Sequence, residues 1–159
     1  MDQAERELKG RIHLDINLWM FSVAITIFIF ILATNPAMLR STLAFPIQIT
    51  FAIPLFITSI FARSKLVRSK KTAMWDNYGT ITFLLGYACI VNVIGILLAY
   101  FINLKIGLIF FLFSIFISLI YSVLDVIEDD YKWKRRVVKD LGFIILLIVG
   151  GILPAMGFF

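Results

Sequence analysis

Three carboxylates in the stretch Asp125-Val-Ile-Glu128-Asp129 stand at i, i+3 and i+4, so a helix there brings all three to one face. Oxygen clusters of this kind hold hard divalent cations such as Mg²⁺ or Ca²⁺. Asp125, Glu128 and Asp129 are therefore candidate metal ligands, with a divalent cation as the candidate cofactor. The bases that follow, Lys132, Lys134, Arg135, Arg136 and Lys139, offer the same acids another use, a salt-bridged helix end.

Other chemistry has less to work with. His13 is the only histidine, which removes a His-rich metal site and leaves a Ser–His dyad one partner near the chain's start. Cys89 is the only cysteine, so no intrachain disulfide forms. Neither a P-loop nor a dinucleotide fingerprint occurs. No catalytic residue is assigned, and the expectation leans away from an enzyme.

The elements that position these residues follow from composition. The chain has 159 residues, of which 61% are hydrophobic and 16% charged. Soluble domains run to about half apolar and about a quarter charged. Mean hydropathy is +0.97. Five apolar runs, 16–34, 43–62, 78–102, 106–127 and 141–159, approach or exceed the roughly twenty residues that cross a bilayer as a helix. Barrel strands are about half that length. Backbone groups in lipid must bond internally, which selects helices. The expected fold is an all-α polytopic membrane bundle of five transmembrane helices, forming one domain over 1–159.

Charge sets an orientation. Of fifteen Lys and Arg, all but Arg40 and Lys105 lie in Met1–Asp15, Arg63–Asn77 or Glu128–Asp140. These segments alternate with nearly uncharged ones, which predicts a cytoplasmic N-terminus and an outside C-terminus. All ten acids fall on the same expected cytoplasmic side. Topology thus accounts for the net charge of +5, and no nucleic-acid partner is expected. The first apolar run is too long for a cleaved signal and is expected to remain as a helix. A prokaryotic plasma membrane is the expected location.

Within the runs, polar and small residues fall into stripes. The first run aligns Asp15, Trp19, Ser22, Thr26 and Ala33, and the second aligns Ala44, Gln48, Ala52 and Ser59. The third places Gly79, Thr82, Gly86 and Cys89 beside Asn92, Gly95 and Ala99. The fourth aligns Ser114, Ser118, Tyr121, Ser122 and Asp125, and the fifth Gly150, Pro154 and Gly157. Such stripes pack helices or line a polar path. Gln48, Asn92, Ser114, Ser118, Tyr121 and Asp125 are the candidate path residues. Pro46 and Pro54 are expected to bend the second helix. Arg63, Lys65, Arg68, Lys70 and Lys71 form a basic loop suited to anionic lipid headgroups.

The order Tyr121-x-x-x-Asp125-x-x-Glu128-Asp129-Asp130-x-Lys132 resembles an aspartate-rich diphosphate-binding motif of intramembrane aromatic prenyltransferases. Those proteins use two acidic motifs in a larger bundle, whereas this chain has one cluster, so family membership does not follow. Three readings of function stand. The first is an oligomeric channel or transporter with a polar path. The alternative is a non-catalytic subunit or scaffold of a membrane complex. The third is a Mg²⁺-dependent lipid-modifying enzyme. The partners expected are the bilayer and either further copies of the chain or a membrane complex.

Overall fold

Backbone groups deprived of water have one local solution, and the computed structural model adopts it throughout. It describes residues 3–36, 43–68, 72–128 and 133–158, and all regular structure among these is helical. The helices are α1 (Gln3–Thr34), α2 (Ala44–Arg68), α3 (Thr72–Phe101), α4 (Leu104–Glu128) and α5 (Trp133–Leu147). A π-helical turn at Ile148–Ile152 and the short α6 (Leu153–Ala155) continue α5. Five helical segments among the described residues are long and apolar enough to cross a membrane, as a membrane-embedded protein requires. They are Gly10–Thr34, Ala44–Lys65, Ala73–Phe101, Leu104–Leu124 and Val137–Ala155.

The helices overrun the apolar runs. Helix α1 starts at Gln3 instead of Ile16. Its polar start carries Glu5 four residues before Lys9, and Glu7 four before Arg11, a spacing that supports a helix in water. Helix α2 likewise continues past Ala62 to Arg68, which puts Arg63 and Lys65 on a helix and not in a loop. Pro46 falls in the first turn of α2, where its missing N–H is not needed, so only Pro54 is an interior proline.

Contacts divide the chain into two compact units, Met1–Ile90 and Val91–Phe159. In the first, Phe45, Ile49, Ala52, Phe56, Ser59 and Arg63 recur at alternating spacings of four and three, and all are buried. That is the repeat of a helix keeping one seam against its neighbours. Helix α1 supplies Asn17, Ala24 and Ile31, also buried and spaced by sevens. The expected stripe of α1 points elsewhere: Asp15, Trp19, Ser22, Thr26 and Ala33 are all exposed. Ser22 donates to the Leu18 carbonyl at 2.9 Å and Thr26 to the Ser22 carbonyl at 2.8 Å. Hydroxyls satisfied on their own helix need no partner helix, which lets this face meet lipid.

Helices α2 and α3 meet through Ser59, whose buried hydroxyl donates to the Gly79 carbonyl at 2.8 Å. Below it, Phe56 lies edge-on to Phe83, with ring centres 6.0 Å apart. Removing the interhelical bond with Ser59→Ala should cost about 1 kcal/mol. Thr58 donates to the carbonyl of Pro54 on its own helix, so Thr58→Val should cost close to nothing. Reversible unfolding of both variants in mild detergent checks the contrast.

In the second unit the end of α3 turns into α4 through Ile102 and Asn103. Asn103 caps α4, its Oδ1 accepting from the Ile106 N–H at 2.9 Å. At the far end Gly157 adopts φ +82°, and the Phe158 N–H reaches the Leu153 carbonyl at 3.1 Å. This is a Schellman ending, which explains Gly157 as a helix stop.

Candidate functional site

Polar side chains inside an apolar phase must find partners, so the site is defined by where those bonds go. The first unit holds Arg63 at the end of the buried seam of α2. Its Nη1 donates to Asp76 Oδ1 and its Nη2 to Thr80 Oγ1 at 2.9 Å, both on α3. Arg63 is 4% exposed and Asp76 37%, so the cation is the enclosed partner. Gly79 lies beneath the guanidinium stem, where a Cβ would stand 3.2 Å from Arg63 Nε. Gln48 is buried on the same helix.

The second unit holds Asn92, which is 3% exposed on α3. Its Nδ2 donates to the Leu146 carbonyl of α5 at 3.1 Å, two residues before the π-helical segment. There the Leu153 N–H bonds back to Ile148, five residues earlier. Pro154 follows and has no N–H to donate. The turn carries Gly150 and Gly151, and Phe111 of α4 fills the space between Gly151 and Gly95. A π turn was not expected from the sequence; Gly150-Gly151 followed by Pro154 is the signal that points to it.

The same unit brings Ser122 of α4 to Asp140 of α5, where the hydroxyl donates to Oδ2. The two line an open groove of about 420 Å³, walled by Leu119 and Val123 on one side and by Leu141 and Ile144 on the other.

The expected path residues separate on this map. Gln48 belongs to the first unit, whereas Asn92, Ser114, Ser118 and Tyr121 belong to the second. Ser114 donates to the Phe110 carbonyl on its own helix at 2.8 Å, Ser118 is half-buried and Tyr121 is exposed. Asp125 and Glu128 lie on the backbone of α4, but their side chains fall outside the described residues, as does all of Asp129. No three-carboxylate or His/Cys cluster able to hold a metal occurs among the described residues. Of the expected lipid-headgroup bases, Lys65 is exposed and Arg63 is buried. The Arg68 side chain and all of Lys70 and Lys71 lie outside the described residues.

Reading by charge placement alone missed Arg63 as a core residue. The spacing from Phe45 through Ser59 lands on it, and Asp76 is the first acid after it. No protein-family model, curated protein or solved structure matches the chain.

Proposed function

We propose that the protein is a non-catalytic subunit or scaffold of a membrane assembly, working through helix packing. The single observation behind this reading is how its buried polar side chains are used. Ser59, Arg63, Asn92 and Ser122 each bond to a neighbouring helix within their own unit. Such bonds fix helices against one another. The outward faces are apolar: Phe113, Phe116 and Ile117 of α4 are all exposed. A face of that kind suits lipid or another transmembrane helix. The orientation in this proposal is N-terminus cytoplasmic and C-terminus outside, as the basic segments favour, and its membrane is a prokaryotic plasma membrane.

An oligomeric transport path is the second reading, favoured by one atom. Asn92 Oδ1 is buried with no hydrogen-bond partner among the described residues. One experiment separates the two. The protein is purified from its native membrane in mild detergent, then reconstituted in liposomes. The scaffold reading predicts a partner retained at fixed stoichiometry and ion or small-solute flux equal to that of protein-free vesicles. Flux above that level that changes with Asn92→Leu would overturn it in favour of transport.

A further inference from the structure

Two adjacent glycines, Gly150 and Gly151, lie inside the π turn of the span Val137–Ala155. Gly151 is buried, and a Cβ there would collide with Asn92 Oδ1 and with the Phe111 ring. That collision accounts for Gly151 and leaves Gly150, which is only half-buried, to be explained. Asn92 Nδ2 donates to the Leu146 carbonyl, the oxygen that the Gly150 N–H reaches in a regular α-helix. A second donor on that carbonyl competes with the ladder just before the ladder lengthens to the five-residue bond from Leu153 to Ile148. Asn92 Oδ1 is buried with no hydrogen-bond partner among the described residues, so the π register carries a desolvation penalty. A π turn is also rare within an α-helix and often marks a functional site. If the turn tightens to the four-residue α bond, the preceding residue comes round to the place that Gly151 now holds. That residue is Gly150, so either register offers Asn92 and Phe111 a position without a Cβ.

We propose that the C-terminal end of this span is a two-register switch: π with Gly151 against Asn92 and Phe111, or α with Gly150 in that place. The change is discrete, because only a glycine fits there and the two glycines are neighbours. Going from π to α turns every residue after Gly151 by about 100° and advances it by about 1.5 Å. The moving part carries Pro154, which is buried, and Met156 and Phe158, which are exposed. The rotation takes Pro154 out of its buried place and re-aims Met156 and Phe158. A neighbouring transmembrane helix that binds one setting better shifts the population toward it. Small helix rotations of this kind are an established way for packed helices to pass on a binding event.

The test is amide relaxation dispersion on the whole chain in mild detergent micelles, read at Leu153 and Ala155. The native chain should show exchange on the microsecond-to-millisecond scale, with a minor state on the order of 1%. Gly150→Ala puts a Cβ where the α register meets Phe111, so the exchange should vanish while the native major-state shifts persist. Gly151→Ala obstructs the π register, so Leu153 and Ala155 should move to the shifts of the native minor state. A glycine needed only for packing would give no such opposite pair of shifts. Gly150→Ala decides the matter if Gly151→Ala fails to fold. A native chain without exchange at these amides would overturn the proposal. So would exchange that survives Gly150→Ala, or a Gly151→Ala variant that folds with the native major-state shifts.

Discussion

Asp76→Ala should destabilise the protein by about 3 kcal/mol, and Arg63→Met by only about 1 kcal/mol, although both break the same ion pair. The asymmetry comes from what each change leaves behind. With Asp76 gone, a guanidinium that is 4% exposed loses its counter-charge inside the seam of α2. With Arg63 gone, the remaining carboxylate is 37% exposed and water or headgroups can solvate it. Methionine also keeps much of the apolar stem that lies over Gly79. The double variant Arg63→Met/Asp76→Ala should therefore be more stable than Asp76→Ala alone. Unfolding in mixed detergent micelles, followed by helical signal, gives all three values. If Asp76→Ala is no worse than Arg63→Met, the pair behaves as a solvated surface contact and the seam does not extend to Arg63.

That pair also shows what could be read from the sequence. The apolar runs were legible because a hydrocarbon-spanning helix needs length and little charge, and both are counted residue by residue. Helix ends were not, because a helix does not stop where apolarity stops. The charged start of α1 has Glu and Lys or Arg at the four-residue spacing that favours a helix, and α2 continues along the seam that ends at Arg63. Residue counting also assigned a basic side chain to topology by default. Orientation and burial are separate uses of one charge, and Arg63 can serve both.

Stripe direction was legible only in part. Asn92 of α3 is buried and bonds to the Leu146 carbonyl of α5. Ser22 and Thr26 of α1 are exposed, and each returns its hydroxyl to its own helix, as the buried Thr82 also does. A wheel cannot tell these cases apart, since it does not record whether a side chain can satisfy itself locally. An asparagine amide offers more donors and acceptors than one carbonyl of its own helix satisfies, as at Asn17, whereas one such bond occupies the single donor of a serine or threonine. On that criterion Asn92 was the better candidate from the start, and Ser114, bonded back to Phe110, the weaker one.

Gly95→Ala should destabilise the protein by about 2 kcal/mol, against the direction that helix propensity gives. Alanine is favoured over glycine in a helix by about 1 kcal/mol. A Cβ at position 95, however, would lie 2.6 Å from Phe111 Cε1, and Phe111 is fully buried. The ring cannot retreat freely, because the Gly151 backbone also packs against it, a Cβ there lying 2.6 Å from Phe111 Cζ. Overpacking a filled site costs about 1–3 kcal/mol, which outweighs the propensity gain at the upper end of that range. The cause can be isolated. Phe111→Ala alone should cost about 3–5 kcal/mol by leaving a cavity. In that background the added methyl has room, so Gly95→Ala should become neutral or stabilise by up to about 1 kcal/mol. The sign reversal is the decisive measurement, because a penalty of equal size in both backgrounds would mean that the Gly95 site is restricted by something other than the Phe111 ring.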